Sequence, residues 1–286
     1  MTPPTDPIQS AARAGGAPHP DAETLIGLSH RMADAAGTAA LRHFRATGLT
    51  TEDKGGKDGF DPVTAGDREA EAAMRRLLAE ERPGDGILGE EHGQVTSSTG
   101  LTWVLDPIDG TRAFIAGLPT WGVLIALDDG KAGRIGIVDQ PFTGERFVGQ
   151  DLTGVPEARL MRAGHETSIQ VRSCADLKSA ILFTTAPELF DGAERPRFEA
   201  VRARTRLTRY GVDCYAYALL AAGQIDLVIE SGLESYDIAA PAALIRAAGG
   251  IVTDWEGGDP RWGGRVVAAG DPRVHAAAME LLGATG

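Results

Sequence analysis

Residues 103–114 read Trp-Val-Leu-Asp-Pro-Ile-Asp-Gly-Thr-Arg-Ala-Phe, an apolar run that ends in two aspartates three apart, with Pro107 between them and Gly-Thr directly after. Such a run predicts a buried strand whose end delivers carboxylates, followed by a turn into a helix start. Asp106 and Asp109 are thereby placed together beside a helix N-terminus, where free backbone N–H groups favour an anion. A buried strand does not end in neighbouring acids without counter-charge. No cluster of Lys or Arg immediately follows, and Arg112 as the partner of one aspartate leaves the Gly110-Thr111 turn unexplained. Divalent cations lying between the two carboxylates and a phosphate account for the pattern.

Other acidic positions join this pair. Glu90 and Glu91 follow Ile-Leu-Gly, a second apolar run ending in carboxylates; Asp67 closes Asp-Pro-Val-Thr-Ala-Gly-Asp; Asp237 lies in Ser-Tyr-Asp-Ile-Ala-Ala. Taken singly, Asp67 or Asp237 reads as a helix cap or turn former. Taken together, carboxylates scattered along the chain and each at the end of an element suit magnesium, which prefers hard oxygen ligands in octahedral geometry.

The 286 residues suffice for one large domain or two smaller ones, and an apolar share of 43% fits a substantial core. A formal net charge of -12 argues against a nucleic-acid partner held by a basic surface. Cys174 and Cys214 show no CxxC spacing and read as reduced thiols. No basic segment followed by an apolar stretch opens the chain, and no apolar run reaches membrane-spanning length, so a cytoplasmic protein without a membrane partner is expected.

Residues 1–20, rich in Pro and Gly, are expected to form a disordered tail. Helical spacing runs from Asp21 through about residue 46, and a loop is expected over 54–62. Asp67 is expected to open a second helix that stops at Pro83-Gly84. Short apolar or alternating runs then predict strands at Ile87-Leu88, Trp103–Leu105, Trp121–Leu127, Arg134–Val138 and Glu145–Val148, with a loop or hairpin over 151–168. Val212–Ala222 and Asp237–Ala248 read as helices, Ile225–Glu230 and Gly250–Asp254 as strands. The alternation implies a layered α/β sandwich with largely antiparallel sheets: residues 21–286 as one domain in two packed halves, about 21–185 and 186–286.

The segment Asp-Pro-Ile-Asp-Gly-Thr (106–111) resembles the signature of the inositol monophosphatase superfamily. Gly-Glu-Glu (89–91), Asp-Pro-Val-Thr-Ala-Gly-Asp (61–67) and Tyr-Asp-Ile-Ala-Ala (236–240) resemble its further motifs, in family order. The resemblance implies an α/β/α/β/α sandwich, a homodimer, and up to three Mg2+ ions held by Glu90, Asp106, the Ile108 carbonyl, Asp109 and Asp237. It also implies that Asp67 contacts the metals through water, that Thr111 with Glu90 activates the attacking water, and that the N–H groups of Gly110 and Thr111 hold the phosphate. Lys57, or Lys54, is implied near the metals.

Around Arg112–Trp121, Asp139–Pro141 and Gly211-Val-Asp-Cys-Tyr, the chain is more similar to the histidinol-phosphatase branch than to the inositol branch. Val212 stands where that branch carries a second glycine, and a β-branched residue disfavours positive φ. The resemblance implies hydrolysis of L-histidinol phosphate in histidine biosynthesis. The alternatives are an inositol monophosphate or another small polyol phosphate as substrate, or a metal-dependent protein that binds a phosphorylated ligand without turning it over. Histidinol phosphate carries an ammonium and an imidazole, so Asp213 and Glu230 are candidates to meet a cation, with Arg209 bordering the pocket. Asp213 has a second reading as a helix cap, and Glu230, which ends an apolar strand, has the stronger claim. His43 and His92 read as packing or surface residues, Trp103, Trp121 and Trp255 as core, and the arginines from Arg195 to Arg209 as a solvated face.

Overall fold

The computed structural model describes residues 19, 21–53, 55 and 62–283. Apart from His19, the tail expected over 1–20 lies outside the described residues, as do Lys54 and Lys57 and nearly all of the expected 54–62 loop.

Helix α1 (Ala22–Leu41) buries Leu25, Leu28, Met32 and Ala36 along one stripe, as their spacing predicts. It ends at Leu41, short of residue 46. The chain leaves it through Arg45, in left-handed backbone at φ 58°. Phe44 still reaches the core from this turn, its ring centroid 5.3 Å from those of Phe114 and Trp121. The apolar period therefore outlasts the helix.

Strands β1 (Thr51–Asp53) and β2 (Pro62–Thr64) pair antiparallel and lead into helix α2 (Ala65–Glu81). Asp67 does not open this helix. Extended Thr64 is the cap, and Asp67 sits in the first turn with its carboxylate folded back to the Thr64 N–H at 2.8 Å, the reciprocal arrangement of a capping box.

An eight-stranded sheet follows: β3 (Gly86–Gly89), β4 (Gly93–Val95), β5 (Thr102–Asp109), β6 (Gly122–Asp128), β7 (Gly133–Gln140), β8 (Glu145–Gln150), β9 (Glu157–Arg162) and β10 (His165–Ser168), with the short helix α3 (Thr111–Ile115) between β5 and β6. Its spatial order is β10-β9-β8-β7-β6-β5-β3-β4, antiparallel throughout except for β3 beside β5. The 151–168 stretch resolves into the β9–β10 hairpin. A second, five-stranded sheet is ordered β12-β11-β13-β15-β14, from β11 (Ile181–Thr184), β12 (Leu207–Tyr210), β13 (Leu227–Leu233), β14 (Ile251–Asp254) and β15 (Gly264–Ala269). Strands β12, β11 and β13 run parallel, and the rest antiparallel. This sheet takes in β11, which the sequence-based division at residue 185 leaves with the first half.

Side-chain parity sets the layers. Along β5, Trp103 and Leu105 join α1 and α2 in one cluster, whereas Val104 faces the other way with Leu124 and Ala126 of β6. That second face packs on α5 (Asp213–Ala221) and α6 (Ser235–Ala247), which are covered on their far side by Val228, Val266 and Ala268 of the second sheet. The outer face of that sheet carries Leu227, Ile229 and Val267 against α4 (Glu194–Arg202) and α7 (Pro272–Gly283). The layers run α/β/α/β/α. Strands β11 and β12, four residues each, are too short to show a period, and α4 buries only Phe198 and Val201. These elements, with β15 and α7, were not legible from pattern. Among the described residues no helix is long and apolar enough to cross a membrane.

Candidate active site

On a regular strand, residues three apart point to opposite faces. Between Asp106, opposite Leu124, and Asp109, opposite Gly122, the β5–β6 register shifts by one residue. This bulge cancels the parity, and Pro107 inside it gives up no ladder donor. Asp106, only 1% exposed, accepts from the Ile108 N–H at 3.0 Å, which fixes the turn. Asp109 accepts from the Cys214 N–H at 2.7 Å, which ties the end of β5 to the start of α5. Asp237 lies in the first turn of α6 and accepts from the Glu234 N–H at 2.7 Å.

One carboxylate oxygen from each of Asp106, Asp109 and Asp237 lies within 4.8 Å of the other two. Burial raises the pKa of all three. The neighbours acting most strongly on Asp106 are Glu90, Asp109, Asp237 and Asp67, every one acidic, and all push it further up. Three hard oxygen donors so placed are stable as anions only when a cation joins them. The donor set fits a divalent metal such as magnesium.

Glu90 lies outside that 4.8 Å group, although its charge acts on both Asp106 and Asp237. Its position is set by a residue that the sequence did not disclose. The Glu71 carboxylate, fully buried on α2, accepts from the Glu91 N–H at 2.7 Å and the His92 N–H at 3.1 Å, and Arg75 balances it at 2.7 Å. A side chain on Gly89 would place its Cβ 2.2 Å from the Glu71 Oε1, so the glycine of Gly-Glu-Glu is what lets this carboxylate reach the turn. Asp67, 1% exposed, accepts from both the N–H and the hydroxyl of Thr64, at 2.8 and 2.6 Å. Burial raises its pKa against those bonds.

Gly110 caps α3 in left-handed backbone at φ 80°, and the Thr111 hydroxyl donates to the Ile108 carbonyl at 3.1 Å. A Cβ on Gly110 would lie 3.0 Å from the Cβ and Cγ of Asp213, so that side chain is seated against the glycine. The strained residue of the 211–213 turn is Asp213, at φ 45°; Val212 sits at φ −119°. Aspartate tolerates this region far better than a β-branched residue, which removes the conflict expected at Val212. Burial, then the charge of Asp109, pushes the Asp213 carboxyl up to about 7, with Arg112 pulling it down. Arg112 is thus the cation acting on Asp213, while Arg209 is exposed on β12, in register with Phe183.

Glu230 is 1% exposed and its oxygens are engaged by the hydroxyl of Thr184 at 3.1 Å, the N–H of Thr185 at 2.7 Å and the hydroxyl of Thr185 at 3.0 Å. Burial nevertheless pushes it up to about 8. Nothing in the sequence links Thr184 and Thr185 to a glutamate more than forty residues on. Asp213 is seated beside the carboxylate group, and its charge acts in turn on Glu230.

The sequence profile of the inositol monophosphatase family matches residues 21–285. The chain belongs to this family. It is 39% identical, over 91% of its length and 75% of the relative's, to a chloroplastic bifunctional phosphatase of Arabidopsis thaliana. It is 34% identical to a histidinol-phosphatase of Streptomyces coelicolor, over 92% and 97% of the two chains. An inositol-1-monophosphatase of Caulobacter vibrioides is 32% identical over 88% and 99%. Among solved structures, an inositol monophosphatase from Zymomonas mobilis superposes with a TM-score of 0.79, at 42% identity over 92% of this chain and 98% of that one. The chain is accordingly a phosphomonoesterase of the family. Family members are metal-dependent, usually on magnesium, which agrees with the carboxylate group at Asp106, Asp109 and Asp237.

Proposed function

We propose that this phosphatase hydrolyses L-histidinol phosphate to L-histidinol and phosphate. Asp213 carries the reading. Its carboxylate stands beside Asp109 and against Gly110 but outside the metal-binding group, in backbone strain of a kind that costs about 1–3 kcal/mol and persists where the surroundings enforce it. An inositol ester offers hydroxyls, whereas histidinol phosphate offers an ammonium and an imidazole. A carboxylate at this position suits the cation, and a charge-assisted hydrogen bond there contributes about 1.5–3 kcal/mol. Similarity to the Streptomyces histidinol-phosphatase supports the same substrate.

Asp106, Asp109 and Asp237 would hold the metal, with the Ile108 carbonyl and Glu90 as further oxygen donors. Magnesium bound there lowers the pKa of a coordinated water and offsets phosphate charge. The chain's own groups supply the rest. The Thr111 hydroxyl is held at the start of α3 by its bond to Ile108, in place to orient a water. The N–H groups of Gly110 and Thr111 precede any intrahelical acceptor and are available to phosphate oxygens. Asp67, locked by Thr64, keeps a second carboxylate oxygen for a bridging water.

The Zymomonas relative, an inositol monophosphatase, favours inositol 1-phosphate as a second reading. Phosphate release from both esters, with Mg2+ or with EDTA, separates them. A large Mg2+-dependent preference for histidinol phosphate supports the proposal. Faster release from inositol 1-phosphate overturns the substrate and keeps the chemistry, and silence on both esters leaves a different small phosphate ester as substrate or a ligand-binding role.

A further inference from the structure

Tyr217 on α5 is 3% exposed, and its hydroxyl has no hydrogen-bond partner among the described residues. It stands four residues after Asp213 and three after Cys214, on the helix face that carries both. Helical side chains lean toward the helix N-terminus, so the ring runs back toward the turn where the Cys214 N–H holds Asp109. Burial, then the charges of Glu230, Asp109 and Asp237, keeps this phenol well above its usual pKa, so it remains a donor. The acids whose charges reach it accept from other donors, Glu230 from Thr184 and Thr185, Asp109 from Cys214 and Asp237 from Glu234, and none of them accepts from Tyr217. A buried hydroxyl without an acceptor is a liability to the fold, and phenylalanine would fill the same space without it.

We propose that Tyr217 is a positioning residue for the metal site, its hydroxyl donating to an oxygen that would enter with the divalent cation. This rests on the reading of Asp106, Asp109 and Asp237 as a cation site. The geometry asks for such a ligand, because the hydroxyl is buried on the face of α5 that carries Asp213 and Cys214 and finds no protein acceptor there.

Three measurements on the full chain test it: calorimetric titration with Mg2+, thermal unfolding in EDTA, and steady-state kinetics at saturating Mg2+, each for wild type and Tyr217→Phe. The variant is expected to unfold in EDTA at or above the wild-type temperature, because no protein bond is lost. Its Mg2+ affinity falls about 5- to 10-fold, the scale of one hydrogen bond. Its kcat falls while KM for the ester is retained. A lower unfolding temperature in EDTA places the hydroxyl's bond within the fold and overturns the proposal; so does an unchanged Mg2+ affinity. Mg2+ is also expected to produce a tyrosine difference spectrum that is smaller in Tyr217→Phe, with Tyr236 near Glu90 and Asp237 supplying the remainder, and a spectrum of unchanged size in the variant overturns the proposal equally. If the wild type binds no Mg2+ at all, the cation site itself falls, and Tyr217's role with it.

Discussion

Glu230→Gln isolates a proton that the fold holds against bulk solvent. The carboxyl titrates at 4.5 in the unfolded chain and is pushed up to about 8 by burial in the folded one. Below the lower value both states are protonated and the group contributes no pH dependence. As pH rises the unfolded chain releases its proton first, so wild-type stability declines until the folded carboxyl also ionises. The slope approaches about 1.36 kcal/mol per pH unit, which amounts to about 3–4 kcal/mol lost between pH 5 and pH 8. Glutamine mimics the neutral acid. Its carbonyl accepts from the N–H and hydroxyl of Thr185, and its amide donates to the hydroxyl of Thr184, the three contacts that the glutamate makes. Urea unfolding in EDTA across that pH range should show the variant gaining on the wild type by about this amount as pH rises. A stability difference that stays flat from pH 5 to pH 8 would mean that the three threonine donors keep Glu230 ionised, and the reasoning would be wrong.

Asp109→Asn removes the charge and leaves one oxygen, which can accept from the Cys214 N–H or face the metal but not both, and should lower kcat/KM by more than the roughly 10–100-fold typical of outer-shell changes; normal Mg2+-dependent turnover would refute the metal-site assignment. Asp213→Asn keeps a residue that tolerates φ 45° and deletes only the charge. It should cost about 10- to 100-fold in kcat/KM for histidinol phosphate and under about 3-fold for inositol 1-phosphate; equal losses on both esters would reduce Asp213 to a structural residue. Gly89→Ala forces a methyl against the Glu71 carboxylate and should destabilise by about 1–3 kcal/mol. Activity should fall as the Glu90–Glu91 turn shifts, and a variant of unchanged stability and activity would show that the turn is not set by Glu71.

How far the site was legible follows from range. Asp106 and Asp109 announce themselves within one dozen residues, because a buried strand ending in unpaired acids violates the ordinary pattern, and the family resemblance adds Thr111. Asp67 was found but misplaced: it reads as a cap, and the structure gives that part to Thr64. Glu230 was found, but not the donors that hold it: Thr184 ends β11 and Thr185 follows it, more than forty residues earlier in the chain. Glu71 and Tyr217 gave no sign at all. Each sits at helical spacing among core residues, and only its neighbours in space give it a task.

Period and punctuation in the sequence determined α1, α2, strands β3, β5, β6, β7 and β8 of the first sheet and the pair of acids at the end of β5, while the resemblance of four motifs pointed to the family. These are local properties, written in the order of neighbouring residues. Tertiary structure decided which carboxylates share one cation, which acids are sealed beneath the site, and that Arg112 rather than Arg209 balances Asp213. The physical reason is that desolvation and Coulomb coupling act over a few ångströms whatever the separation along the chain. Asp109 and Cys214 are more than a hundred residues apart in sequence and 2.7 Å apart in the fold.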